Sequence, residues 1–414
     1  MTETDISELT FEQLGKIRMY LKNMINNGGS DLHVKANSVI RARIHGDLVQ
    51  ISGRIFSAED ALTFAKELLK GRFAELVEKR ELDLVYPFDE RNRFRVNIFF
   101  QMDGISAVFR IIPVKVPSCS ELNLPPILKS FTNKSRGLVL VTGVTGSGKS
   151  TTLASMINEI NTTRKKHIIT IEDPIEFVHK DRGCVINQRT VGQDTLSFGN
   201  ALRAALREDP DIILVGEMRD KETIELALHA ADTGHLVFST LHTIDAKETI
   251  NRIIAQFPTD EQNRVRLSLA GVLQGVISQR LIPTIDGGRR AAMEILVRTP
   301  TIEKLIMENR DYEIPEAIEK GKEHYHSQTF DQSILDLYSQ GIISKKQALD
   351  SATSPSDLTL KMSGLSHSKY EAPEKVACAT ELALEQENEV GVVPKMDFVQ
   401  EELEDEDDEL FDLK

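Results

Sequence analysis

Eight consecutive residues, Gly143 to Ser150, read GVTGSGKS and satisfy the pattern GxxxxGK[ST]. Glycines at this spacing let several backbone N–H groups converge on one anion at the start of a helix, where the helix dipole also favours negative charge. The chemistry this supports is phosphate binding. Gly143, Val144, Thr145, Gly146, Ser147 and Gly148 supply the cradle, and Thr151 follows in the first helical turn. Lys149 reaches the β and γ phosphates and the Ser150 hydroxyl ligates Mg²⁺, so ATP with Mg²⁺ is the expected ligand.

A second group lies in ILVGEMRD, Ile213 to Asp220. Glu217 ends a run of buried-strand residues, where a carboxylate can orient the water that attacks a γ-phosphate; pairing with Arg219 or Lys221 at the surface is its alternative role. Gly216 stands where many nucleotide hydrolases carry a metal-binding aspartate. Two substitutes are visible, Asp209 with Asp211, and the trio Glu172, Asp173 and Glu176 in TIEDPIEF. Asp211 begins its strand and falls at the opposite sheet edge, roughly 15 Å away at about 3.3 Å per residue, so topology favours the trio, acting on Mg²⁺ through water. His235 and His242 bracket the strand HLVFSTLHT without zinc spacing. His242 is a candidate sensor of the γ-phosphate; a hydrogen-bonded structural role is the alternative for both.

These groups need a particular frame. GLVLVTGV, HIITIED, DIILVGE and HLVFSTLH are continuous apolar runs, the mark of parallel strands covered on both faces, and they alternate with helical stretches near 149–161, 198–208 and 221–232. That rhythm predicts a doubly wound α/β domain over residues 137–352, with the Glu217 strand next to the phosphate-loop strand. Beyond Ile244 the pattern, including TDEQNRVRLSLAGVLQGVISQRLI, reads as helices continuing to about Ala352.

Residues 1–113 have a different character. Thr10 and Gln13 have capping-box spacing before an amphipathic helix that stops at Gly28–Gly29. Strand-like runs at 31–35, 39–44 and 47–51, a helix capped by Ser57, and runs at 82–87, 93–101 and 104–112 predict an α+β domain with a mainly antiparallel sheet. Residues 114–136 read as a linker and entry to the second domain, and 353–414 as an acidic, disordered tail with Phe398, Leu410 and Phe411 as a possible docking peptide.

The bulk composition narrows the class. In 414 residues, 40% hydrophobic and 28% charged, no stretch approaches a membrane span and the N-terminus lacks the features of a signal peptide, which predicts a cytosolic protein. Cys119, Cys184 and Cys378 are scattered and suggest neither disulfides nor a zinc ribbon. Of the net charge of −14, residues 355–414 carry 17 acids against 5 bases, which leaves the rest near neutral and argues against nucleic acid as a partner.

Taken in order, GVTGSGKSTT, TIEDPIEF, LREDPDIILVGEMRD and GHLVFSTLHT resemble the Walker A, Asp box, Walker B and His box of the secretion ATPase superfamily. With SDLHV, RFRVNIFFQ and QTFDQSILDLYSQGIIS, the resemblance reaches about residue 354 and is to PilT-type retraction ATPases of type IV pili. It implies a PAS-like N-terminal domain, a RecA-like ATPase domain and a homohexamer peripheral to the inner membrane. The implied partners are an inner-membrane pilus platform protein and a second retraction ATPase. It further implies that Glu217 is catalytic, that Asp173 and Glu176 belong to the Asp box and His235 and His242 to the His box, and that Arg95 in RFRVN and Arg110 in AVFRIIP reach a nucleotide site. On an alternating strand such arginines otherwise serve a solvated face.

Several functions compete with retraction. A PilU-like accessory retraction ATPase is compatible with QTFDQSILDLY and a long tail. Pilus-assembly and type II secretion ATPases typically carry a tetracysteine zinc motif that is missing here. A RecA-like nucleic-acid translocase predicts a basic surface, and a non-hydrolytic switch predicts that Glu217→Gln behaves like the parent.

Overall fold

The computed structural model describes residues 10–89, 92–112 and 116–366. Its first elements are helix α1 (Glu12–Asn26), strands β1 (Gly29–Lys35), β2 (Ser38–Ile44) and β3 (Asp47–Phe56), helices α2 (Ala58–Leu69) and α3 (Phe73–Lys79), and strands β4 (Glu81–Pro87), β5 (Arg93–Gln101) and β6 (Gly104–Ile112). The six strands form one antiparallel sheet in the order β3-β2-β1-β6-β5-β4. Period-two alternation sends Leu32, Val34, Phe94, Val96, Ile98 and Phe109 into one core against Ile17, Leu21 and Met24 of α1 and Phe64 of α2. Each such buried side chain contributes about 1.5–3 kcal/mol relative to exposure. The register places Arg43, Asp31, Arg110 and Arg95 in one row on the opposite face.

Ser57 caps α2 as its spacing predicts: its side chain accepts from the Asp60 N–H while the Asp60 carboxylate accepts from the Ser57 N–H. The expected cap at Thr10 does not form. Helix α1 starts after Phe11, which is left-handed at φ 57°, without a side-chain cap. The Leu14 N–H is instead taken by the buried carboxylate of Glu67 on α2 at 2.6 Å, a partner 53 residues away that local spacing could not reveal.

The chain continues with α4 (Leu128–Thr132), β7 (Gly137–Thr142), α5 (Lys149–Thr163), β8 (His167–Glu172), β9 (Val185–Thr190), α6 (Phe198–Ala205), β10 (Ile212–Val215), α7 (Lys221–Asp232), β11 (Leu236–Leu241), α8 (Ala246–Ile254) and α9 (Thr259–Val272). After these come β12 (Leu273–Pro283), β13 (Arg289–Val297), α10 (Pro300–Met307), α11 (Ile314–Lys320), α12 (Lys322–Tyr325), α13 (Phe330–Ser339), α14 (Lys345–Ser351) and α15 (Pro355–Ser366). Seven strands form the second sheet in the order β13-β12-β7-β11-β10-β8-β9, all neighbours parallel except the edge strand β13. Leu138 and Leu140 of β7 face a core shared with α6, α7, α8 and α9, while Val139 and Val141 face one shared with α4 and α5. Burial on both faces is why the strand reads as one apolar run.

The structure corrects several expectations for this half. Residues 273–283 do not continue helix α9. They form β12, whose register aligns Val276 and Ile277 with Leu140 and Val141 of β7, because the apolar spacing of VLQGVISQRLI satisfies either period and the sheet offers the better partner. The hairpin β12–β13 therefore replaces helices, and β9 is a further strand. The Glu217 strand β10 is not beside β7, since β11 lies between them. The linker residues Leu128 and Phe131 are buried against β7. Residues 355–366, inside the stretch expected to be unstructured, form α15, because Leu358 and Met362 are buried with Ile282, Phe330 and Ile334. The boundary at 113, Cys378, and Phe398, Leu410 and Phe411 of the tail lie outside the described residues. No helix among the described residues is long and apolar enough to cross a membrane.

Candidate active site

Parallel pairing aligns the carboxyl ends of β7, β11, β10 and β8 on one sheet edge, and a cleft of about 560 Å³ opens there. Thr145, Gly146, Gly148, Lys149, Ser150 and Thr151 line it. Gly148 is the N-cap of α5 at φ 90°, and a side chain on Gly143, at φ 142°, would collide with the Gln279 carbonyl, so this loop can be drawn only with glycine at both places. Gly143 and Ser147 form its underside, where Gln279 of β12 donates to the Ser147 carbonyl, and Val144 is exposed.

The Lys149 ammonium donates to the carbonyls of Gly143 at 2.8 Å and Val144 at 3.1 Å. Burial lowers its pKa, and the facing carboxylates of Glu217 and Glu176 oppose that shift. Glu217 is two residues past the end of β10, with Oε2 2.8 Å from Arg219 and Oε1 3.4 Å from His242 Nε2. His242 Nδ1 lies 3.5 Å from Lys149 Nζ. As an ammonium can only donate, Nδ1 accepts and Nε2 carries the proton toward Glu217. The backbone around Glu217 is pinned to β11, since Thr240 Oγ1 donates to the Gly216 carbonyl at 2.6 Å and the Met218 N–H to the Thr240 carbonyl at 3.2 Å.

Gly216 has a steric cause. A Cβ there would meet the Ile171 carbonyl at 3.0 Å and Glu172 Cα at 3.3 Å, both backbone of β8. An aspartate at 216 would push against the strand that carries the acidic trio. Glu172 is half-buried as a residue but its carboxyl is enclosed, and burial pushes it up to about 7 against hydrogen bonds from Thr170, Gln188 and the Glu176 N–H. Asp173 and Glu176 are exposed at the cleft. Nearby His179 is driven down to about 4 by burial and is therefore neutral. Among the described residues no three His, Cys, Asp or Glu gather to hold a metal. The oxygen donors present, one hydroxyl and exposed carboxylates, fit a hard cation that keeps most of its waters, as Mg²⁺ does.

Three of the predicted residues fall elsewhere. His235 immediately precedes β11 at the opposite sheet edge, roughly 20 Å from His242 at about 3.3 Å per residue. Its Nδ1 contacts the Ala230 carbonyl at 2.9 Å, so it closes the turn between α7 and β11 and takes no part in this cleft. Arg95 and Arg110 are register partners on β5 and β6 and do not line the cleft of their own chain. Arg110 donates to Asp31 at 2.6 Å, and Arg95 lies 3.8 Å from Asp83. Asp31 is buried, which alone would raise its pKa, but hydrogen bonds from Ser30 and Arg110 hold it below the usual range. Asp211 pairs with Lys166 away from the cleft, as its place at the start of β10 demands. Residues not foreseen also line the site: Leu281 and Arg289 come from the hairpin read as helix, whereas Thr240 was in plain view within HLVFSTLHT.

The family model described as "Type II/IV secretion system protein" matches residues 12–287. The type IV pilus retractation ATPase PilT of Pseudomonas aeruginosa is 47% identical over 329 residues, 79% of this chain and 95% of that protein. The type IV pilus ATPase PilU of the same organism is 39% identical over 342 residues, 82% of this chain and 89% of the other. A crystal structure of the pilus retraction motor PilT with bound ADP aligns with a TM-score of 0.78 at 43% identity, covering 83% of this chain and 99% of that one. The chain belongs to the type II/IV secretion system protein family, among its PilT-type ATPases.

Proposed function

We propose that this chain is an ATP-hydrolysing motor that powers retraction of type IV pili, and with it twitching motility. The observation that carries the enzymatic part is the convergence of Lys149, His242 and Glu217 across one cleft at the end of three strands. Lys149 and the loop N–H groups bind the phosphates. Glu217 orients the attacking water and takes its proton, and His242, joined to both, registers the γ-phosphate. Ser150 would hold Mg²⁺ directly, the exposed Asp173 and Glu176 would act on its waters with the enclosed Glu172 behind them, and the ion would neutralise phosphate charge. Higher identity to PilT than to PilU, over a comparable length, favours the principal over the accessory retraction role.

The working unit we infer is a homohexamer at the cytosolic face of the inner membrane. Each subunit has a PAS-like N-terminal domain and a RecA-like ATPase domain. Arg95 or Arg110 of one subunit completes a neighbour's cleft, which accounts for two exposed arginines remote from their own chain's site. An inner-membrane pilus platform protein receives the shape change, with a second retraction ATPase as a further partner. Deleting the gene in its host tests the reading. Accumulated surface fibres with lost twitching support it, and loss of fibres would assign the chain to assembly instead.

A further inference from the structure

After Glu172, the last residue of β8, Asp173 and Glu176 sit on a loop that leads toward β9. Among the described residues no backbone–backbone hydrogen bond secures positions 173–179, so their placement at the cleft falls to side chains. One side chain holds most of it. The Gln188 amide, half-buried on β9 and in register with Thr170, donates from Nε2 to the Phe177 carbonyl at 2.9 Å and accepts through Oε1 from the His179 N–H at 2.8 Å. The same Nε2 lies 3.2 Å from Glu172 Oε1, which also accepts from Thr170 Oγ1 at 2.7 Å. Both ends of one amide are therefore engaged, a donor to one backbone group and an acceptor from another two residues on. No other side chain of this length and chemistry meets both demands, since Glu lacks the donor, Lys the acceptor and Asn the reach.

We propose that Gln188 is a positioning residue for hydrolysis: its amide clamps loop 173–179 so that Asp173 and Glu176 stand over Ser150 and Lys149. It touches neither nucleotide nor metal and acts through the acids it places. This rests on the reading of the cleft as a Mg²⁺-dependent ATPase site. The phosphate loop is built on β7 and α5 and does not depend on Gln188, so the clamp governs the Mg²⁺-dependent part of function and leaves phosphate binding intact.

Full-length Gln188→Ala, Gln188→Glu and the parent provide the test. Gln188→Glu keeps the size and the His179 acceptor but removes the donor to Phe177. In nucleotide-free protein, amide exchange within 173–179 should quicken by about tenfold in Gln188→Ala while the remainder of the sheet is unchanged. The Mg²⁺ concentration giving half-maximal ATPase rate should rise several-fold, excess Mg²⁺ should restore kcat, and fluorescent-ATP affinity without Mg²⁺ should match the parent. Gln188→Glu, which sets a carboxylate oxygen against the Phe177 carbonyl and the Glu172 carboxyl, should move the same way at least as far. Unchanged exchange in the loop, or faster exchange with the parental Mg²⁺ dependence, overturns the clamp. A parent that does not hydrolyse ATP at all would instead overturn the ATPase reading, whatever the variants do.

Discussion

The carboxylate of Glu217 is held by the guanidinium of Arg219 at 2.8 Å, two residues along the same chain. The arginine side chain is 62% exposed and the glutamate 18%. With its arginine open to water the pair is screened and is worth on the order of 1 kcal/mol. Arg219 is therefore expected to be a resting partner of Glu217 and not part of the reaction. Arg219→Ala should leave the melting temperature within about 2 °C and keep kcat within about threefold of the parent. A fall in kcat of about a hundredfold would make Arg219 part of the catalytic machinery.

His242 links Lys149 to Glu217, with one ring nitrogen 3.5 Å from Lys149 and the other 3.4 Å from Glu217. Removing it takes away the contact to Glu217 while leaving Lys149 and the loop N–H groups to hold the phosphates. Steady-state kinetics of His242→Ala should show kcat down by about ten- to a hundredfold with KM changed only slightly. A large rise in KM at unchanged kcat would assign His242 to simple nucleotide binding.

Stability should carry a pH signature from a site outside the cleft. Glu294 on β13 is buried, and burial raises its carboxyl to about 7, opposed by the Ala246 N–H at 2.8 Å and by Arg280 and reinforced by Asp245 and Asp331. The folded state favours the protonated form, so the stabilisation is complete below the unfolded value of 4.5 and is lost as pH rises through about 7. At full ionisation the loss is on the order of 3 kcal/mol. Glu294→Gln keeps an acceptor for Ala246 without the charge. Thermal melts should find it more stable than the parent at pH 8 and little different at pH 5; equal melting temperatures at both would remove Glu294 as the source.

A buried ion pair ties the helical end together. Arg266 of α9 donates to both carboxylate oxygens of Asp311 at 2.8 Å and to the Ile306 carbonyl at 3.0 Å, and both residues are buried. Removing one partner strands the other, which costs about 3–5 kcal/mol. Asp311→Ala should therefore lose about that much in urea unfolding, whereas the exposed pair of Lys320 with Glu316 should contribute little.

What could be read directly from the residues were the features set by local rules. The glycine loop, the apolar runs of β7, β10 and β11 and the Ser57 cap follow from spacing alone. Glu217 and the acidic trio follow from strand polarity, because the end of a parallel strand places its residue at the ligand edge. Long-range partners stayed hidden. Nothing near Leu14 points to Glu67, and the β12–β13 hairpin shares its apolar spacing with a helix until β7 is there to pair with it. That error also concealed Leu281, Arg289 and the Gln279 support of the phosphate loop. His235 was misplaced because a pair of histidines flanking a strand looks symmetric in sequence while only its carboxyl end faces the cleft.

Glu217→Gln tests the central claim most directly, because it preserves the size of the side chain while removing its charge and its ability to take a proton. ATP binding to the full-length variant should match the parent, and hydrolysis under saturating ATP should fall by at least about a hundredfold. Hydrolysis at the parental rate with binding intact would contradict the assignment of Glu217 and leave the cleft as a nucleotide-binding switch.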